Sequence, residues 1–295
     1  MHLTSATVSA RPEGGRAAPP LADTARRLDA VSPALSFTAA EPLGPGWTPL
    51  AAIPESQVLA WLDQLTASAS GHRVVGASYL ILRLTGRIAT PAVAAALLYD
   101  RGLPMSGPAA VHLDGDQFDL LAMPSGAVDV LPGDSLAGHP DTVVVDDRTI
   151  LADRVAARLF AVLEPVIETV SRHARYSTPT MWSAVADRLA GPGVVAANAG
   201  ELPAHEAWDR VSAIVDRLAA HGAAIRRRPR PLDITWSGGV SAGTVKGTCC
   251  LKYIERDLRP RDAAHQPQAY CGGCPYVSDD VRVAKRRAAL DARSG

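Results

Sequence analysis

The chain has no apolar run of 18 residues, so nothing in it reads as an integral membrane segment. Its opening stretch, MHLTSATVSARPEGGRAAPP, lacks the apolar centre of a secretory signal, and a cytoplasmic location is expected. Neither G-x-G-x-x-G nor a P-loop occurs, which leaves no nicotinamide, flavin or nucleotide-phosphate signature. Internal repeats and low-complexity tracts are absent. The net charge is zero and the basic runs carry few interleaved aromatics, so a nucleic-acid partner is not expected. Cysteine is scarce too, with four in 295 residues.

What is there suffices for a substantial core, because 47% of the residues are hydrophobic. The 24 glycines and 23 prolines announce long irregular connections. Charge is unevenly spread. Residues 1–225 hold 16 Lys/Arg against 23 Asp/Glu, a net of −7, while residues 226–295 hold 14 against 7, a net of +7. A basic C-terminal module (226–295) on an acidic body (51–225) is expected, with a loosely ordered lead-in at 1–50.

Periodicity predicts an α+β protein dominated by helices. Short helices are expected at Asp23–Val31, Ile53–Ala67, Val74–Leu84 and Pro91–Asp100, the last with Thr90 as N-cap and Pro91 in the first turn. The period then changes. Ala110–Leu113 and Gln117–Met123 flank Asp114-Gly115-Asp116 as a hairpin, and Thr142–Val145 is a candidate third strand of a small antiparallel sheet. Long helices follow over Arg148–Arg175, where Pro165 should kink or divide the helix, from Thr178-Pro179 to a stop at Gly191-Pro192, and over Pro203–Ala220. Arg226-Arg227-Arg228-Pro229-Arg230-Pro231 reads as a basic, hinge-like linker. Beyond it come the apolar run Leu232–Trp236, a glycine-rich loop, the cysteines, and a charged helix from Asp279.

All four cysteines fall in this module: Cys249-Cys250, then twenty residues, then Cys271-Gly272-Gly273-Cys274-Pro275. Reducing surroundings argue against disulfides, and four thiolates suit an iron–sulfur cluster or zinc. Zinc usually takes two C-x₂₋₄-C knuckles, and only Cys271–Cys274 has that spacing. Adjacent cysteines diverge in extended chain and sit more easily on a centre with two metal positions. The spacing therefore favours a dinuclear cluster, with zinc and structural or disulfide roles still open.

These residues resemble the FhuF-like ferric siderophore reductases. Cys249-Cys250-Leu251-Lys252-Tyr253 is similar to the opening of that family's C-terminal domain, and Cys271-Gly272-Gly273-Cys274-Pro275 to its close. Met181-Trp182-Ser183-Ala184-Val185-Ala186 is similar to a Leu-Trp-Gly-Asn-type stretch of the family, with Ser183-Ala184 at Gly-Asn. The gap between the cysteine pairs is longer than the family's. The resemblance implies a 2Fe–2S cluster on Cys249, Cys250, Cys271 and Cys274. It also implies transfer of one electron to an Fe(III)-siderophore, with release of Fe(II). The reducing equivalents would come from an external ferredoxin- or flavodoxin-like protein.

Lone pairs on hard oxygen donors hold Fe(III) far better than Fe(II), so reduction is itself the release step. It requires no nucleophile or general acid. Basic residues near a cluster favour its reduced state, and Lys252, Arg256, Arg259 and Arg261 are candidates for that role. Arg226, Arg227 and Arg228, with Lys252 and Arg256, are candidates for docking an anionic chelate or an acidic donor protein. Gly239-Val240-Ser241-Ala242-Gly243 matches the nucleophile-elbow pattern, which requires a strand before it and a helix after it. His265 lies between the cysteine pairs as a possible further ligand, and Trp182 and Trp208 sit on apolar helix faces as core. The alternatives to a reductase are a zinc-stabilised interaction module and an iron–sulfur redox sensor.

Overall fold

The computed structural model describes residues 18–42, 44–105 and 107–294. In chain order these form α1 (Pro20–Val31), β1 (Trp47–Pro49), α2 (Glu55–Ser68), α3 (Arg73–Tyr99), β2 (Arg101–Gly102), β3 (Ala110–Asp114), β4 (Gln117–Ala122), β5 (Val128–Val130) and β6 (Thr142–Val144). There follow α4 (Arg148–His173), α5 (Thr178–Asn198), α6 (Ala204–Ala220), β7 (Arg230–Trp236), β8 (Gly239–Val245) and α7 (Asp279–Ser294). Three 3-10 turns lie between Lys252 and Ala269. The architecture is α+β, mainly helical, as expected.

One core joins the helices α1–α6 to the first two sheets. It runs from Leu28 and Leu35 through Leu80, Ile81, Leu84 and Ile88 to Val166, Leu189 and Leu218, all fully buried. Its axis is α3. The two helices expected at Val74–Leu84 and Pro91–Asp100 are this single helix, with Pro91 inside it and buried. An interior proline costs roughly 3 kcal/mol locally. The alanines around it, Ala89, Ala92, Ala94 and Ala95, are strong helix formers and fully buried, so packing on both sides of Pro91 outweighs that cost. By length and composition α3 could cross a membrane, but 78% of its apolar window is buried within the protein.

Two other prolines behave the same way. Pro165 does not divide α4, which starts on Asp147, whose carboxylate accepts from the Thr149 and Ile150 N–H groups at 2.7 and 2.9 Å. Helix α5 passes the expected stop at Gly191-Pro192 and ends at Asn198. Pro192, Gly193 and Ala196 are buried in this extension, and a Cβ on Gly193 would meet Val211 of α6 at 3.0 Å. Close helix packing decides the matter over local propensity.

The hairpin β3–β4 turns at Gly115, where φ is 54°. It forms an antiparallel sheet with β1, in the order β1-β3-β4. The strand expected as the third member, β6, instead pairs parallel to β5 in a second sheet, β2-β5-β6. The first segment differs from expectation as well. Residues 1–17 lie outside the described residues, but α1 and the turn after it deliver Leu28 and Leu35 to the core. Arg101, 1% exposed, bonds Asp23 of α1 at 2.8 Å and clamps Asp134 through two further bonds. A buried arginine needs such partners, and they tie α1 to the body.

Beyond α6, the expected linker and glycine-rich loop are largely strand. Arg230 and Pro231 open β7, and Gly239–Val245 is β8, paired antiparallel with β7 from Arg230↔Val245 to Trp236↔Gly239. Pro231 is tolerated because a two-stranded ribbon has a free edge on each side. The ribbon lies between α5 and α7.

Candidate functional site

The approach to the first cysteine pair is fastened to the body by one carboxylate. Asp187 of α5, 4% exposed, accepts from Gly247 N–H at 2.6 Å, Thr248 N–H at 2.9 Å and Thr248 Oγ1 at 2.6 Å. Burial pushes its pKa up, and these three donors oppose the shift. Gly247 is a glycine for a steric reason: a Cβ there would lie 2.8–3.0 Å from backbone atoms of Arg227 and Arg228. The chain then turns at Leu251, a non-glycine residue at φ 61°. This turn carries the chain from the first cysteine pair into the 3-10 turn at Lys252–Arg256.

The four thiols form a connected set. Cys249 Sγ lies 3.9 Å from Cys274 Sγ. Cys250 is hydrogen-bonded to both Cys249 and Cys271, and Cys274 to both Cys249 and Cys271. The contacts pull the pKa values of Cys250 and Cys274 down and push those of Cys249 and Cys271 up, with burial adding to the rise. A bound cation would displace the thiol protons of such a set.

Backbone and cationic groups support the negative form. The Leu251 N–H donates to Cys249 Sγ at 3.4 Å, the Lys252 N–H to Cys250 and the Tyr276 N–H to Cys274. Lys246 Nζ is 3.9 Å from Cys271 Sγ. Arg188 of α5 adds a second cation. Its Nε is buried without a hydrogen-bond partner, burial lowers its pKa, and the charges of Cys250 and Cys271 act on it. Tyr253 stacks on Tyr270 at 5.7 Å and meets Tyr276 edge-on at 5.9 Å. Burial, with the charges of Cys249 and Cys274 assisting, pushes Tyr253 up to about 12. Aromatic rings thus cover one side of the sulfurs.

The donor set fits a thiolate-held metal centre. Two sulfurs 3.9 Å apart match two ligands on one tetrahedral metal, since a metal–sulfur bond of about 2.3 Å gives an edge of ~3.8 Å. Among the described residues, no group of three or more His, Cys, Asp or Glu is drawn together tightly enough to hold a single metal ion. The sulfurs form a ring of near neighbours and do not converge on one point.

An open groove of about 350 Å³ has the largely buried Cys249 in its wall. Thr180 and Ser183 of α5 line it, with Arg226, Arg227, Thr248 and Tyr276. Ser183 Oγ also accepts from the Arg226 and Arg227 N–H groups, at 3.2 and 3.1 Å, which fixes both arginines on the groove wall.

The basic residues expected to dock a partner divide. Arg226 and Arg227 reach the groove, whereas Arg228 is paired with Asp216 on α6. Lys252 contributes its backbone to Cys250 while its side chain is exposed, and Arg256 donates to Ala269 O at 3.1 Å, bracing the segment between the cysteine pairs. Arg259 and Arg261 are exposed in that segment, and His265 is exposed outside the sulfur set. Ser241 lies within β8, its Oγ donating to Asn198 Oδ1 at 3.1 Å. With strand on both sides, no nucleophile elbow exists there. Trp182 stacks on Phe160 in the core, and Trp208 packs against the core.

Asp187, Arg188 and Lys246 were missed from sequence. A signal existed for the first: Thr180, Ser183 and Asp187 recur about one helical turn apart on α5, a polar stripe along a largely apolar helix. No family model, curated protein or solved structure matches the chain.

Proposed function

We propose that the protein is a ferric-siderophore reductase that carries a 2Fe–2S cluster on Cys249, Cys250, Cys271 and Cys274 and works in the cytoplasm. The observation that carries this reading is the gathering of four thiols beside a cationic groove whose wall includes Cys249. The cluster would supply a one-electron store. The chain does the rest. Arg226 and Arg227 set a positive field that draws in an anionic chelate, and the hydroxyls of Thr180 and Ser177 offer hydrogen bonds to its oxygen donors. Tyr276 presents a partly exposed ring to the chelate's organic arms. Lys246 and Arg188 hold positive charge where an added electron would make the site more negative.

The balance is simple. One electron enters from a ferredoxin- or flavodoxin-like donor and one leaves to Fe(III), which becomes Fe(II). No bond to the chain forms or breaks, and no proton need move. Iron in the lower charge state is then lost from its hard oxygen ligands.

Protein purified without oxygen should be red-brown, with visible absorption that bleaches on reduction. The reduced form should convert Fe(III)-hydroxamate or Fe(III)-catecholate to Fe(II), captured by a chromogenic Fe(II) chelator. Cys271→Ser should remove the colour and the activity together. A colourless chain holding one zinc would overturn the reading in favour of an interaction module. A coloured chain whose reduced form leaves every ferric chelate untouched would overturn it in favour of a redox sensor.

A further inference from the structure

A second groove borders the cysteine motif at Gly272-Gly273 and shares no residue with the first. A groove of about 410 Å³ lies between the β7–β8 ribbon and α7, and its inner wall is the Gly272-Gly273 backbone of the second cysteine pair. Its floor is apolar, formed by Val194, Leu232 and Ile234, and its rim carries Lys285 and Arg286. None of the lining residues is acidic.

Two details make this opening a route to the sulfurs. Gly272 is exposed, and a Cβ built on it meets nothing within 4 Å. Gly272 thus presents open backbone beside Cys271, which is itself half-buried, and the Lys246 side chain packs against Gly273 on its way to the Cys271 sulfur. Gly273 is held inward, its carbonyl accepting from Lys246 N–H at 3.0 Å, which keeps the thin wall in place. Lys285 is braced by the Pro267 and Tyr270 carbonyls at 3.0 and 3.3 Å, while Arg286 is exposed and makes no ion pair among the described residues. Of the three acids of α7, Asp279 is paired with Arg230 and Arg282, Asp291 accepts from Ser237, Asp280 is exposed, and none of them lines the groove.

The two openings differ in chemistry. The Cys249 groove is lined by hydroxyls and arginines, as small-molecule recognition requires. The Gly272 groove has an apolar floor and a charged rim, the anatomy of a protein interface. Resting on the reductase reading above, we propose that an acidic one-electron carrier protein docks on the Gly272 groove and delivers its electron there, leaving the Cys249 groove to the ferric chelate. The carrier loses one electron and the cluster gains it, with no bond made or broken. Separate openings allow both partners to be bound at once.

The test is anaerobic stopped-flow mixing of the reconstituted full chain with a reduced acidic plant-type ferredoxin, read at the visible bands, at low and high salt. Gly272→Glu and Arg286→Glu are compared with Arg217→Glu, the same charge reversal on the body. Both groove variants should keep wild-type iron content and spectrum, and dithionite should reduce them fully. Their second-order rate with ferredoxin should fall about tenfold at low salt, and the difference should shrink at high salt. Arg217→Glu should react as the wild type does. Unchanged rates in both groove variants overturn the docking face while leaving the reductase intact. A slowed Arg227→Glu beside a normal Arg286→Glu moves the donor to the other groove and overturns the proposal equally. A wild-type chain that assembles no cluster fails the underlying reading, an outcome visible before any mixing.

Discussion

Arg188 is, with Lys246, one of two cations coupled to the sulfurs. A cation beside a redox centre stabilises the state with the extra electron, and burial limits how far salt can screen it. Arg188 is partly buried, its Nε unpartnered, and it feels Cys250 and Cys271. Arg256, by contrast, is exposed and spends its guanidinium on Ala269 O. If the proposed 2Fe–2S cluster is assembled, Arg188→Met should therefore lower its midpoint potential by ~40 mV, about 1 kcal/mol for one electron, in a spectroscopic redox titration. Arg256→Met should leave the midpoint in place. Equal shifts in the two variants would mean that the general basic character of the module, and not Arg188, sets the potential. That the four cysteines come together was legible, because their residue type and their clustering late in the chain announced it. Arg188 was not, since an arginine in a helical pattern reads as solvent face until the helix opposite it is known.

At the scale of elements, α5 organises the site. Along one helix it supplies Thr180 and Ser183 to the groove, Asp187 to the loop before Cys249, Arg188 to the sulfurs, and Asn198 to β8, where its Oδ1 accepts from Ala242 N–H at 2.8 Å. Its length is essential to that work, and its length was the least legible part. A Gly-Pro step in sequence ends most helices, whereas here Pro192 and Gly193 are buried against α6 and the helix runs on. The same competition misled at Pro91. The hairpin β3–β4, decided by its own turn residues, was read correctly, while the pairing of β6 depended on a distant partner. Removing the main fastening of α5 to the cysteine loop should expose this dependence. Asp187→Ala leaves the Gly247 and Thr248 N–H groups and the Thr248 hydroxyl without their acceptor, at a cost of about 2–4 kcal/mol. Iron retention after desalting should drop sharply, with faster bleaching in air. A variant retaining wild-type iron and an unchanged melting midpoint would show that the loop is positioned by the cysteines alone.

For the whole molecule, the question is what makes the N-terminal helix part of the body when its composition suggested a loose lead-in. Leu28 and Leu35 supply apolar contact, but the fixed point is Arg101, which joins α1, the end of α3 and the Asp134 turn. Burial alone would raise the pKa of Asp23 and Asp134, yet their bonds to Arg101 outweigh it and hold both below the usual 3.8. A carboxylate depressed in the folded state contributes stability that is present above its unfolded pKa and lost as pH falls through the folded one. The wild-type chain should therefore keep its full urea stability down to about pH 5 and lose the Arg101 contribution below pH 4. In Arg101→Met the carboxylate of Asp134 loses its cation and that of Asp23 keeps only the exposed Arg26, and the loss at pH 7 should reach about 3–5 kcal/mol. Protonating those carboxylates relieves the defect, so the gap between variant and wild type should narrow as the pH is lowered toward 3. Urea unfolding followed by circular dichroism at pH 7, 5 and 3 measures that gap directly. A constant gap across the series would mean that Arg101 acts by packing its side-chain stem, with its charge contributing nothing to the union of α1 with the body.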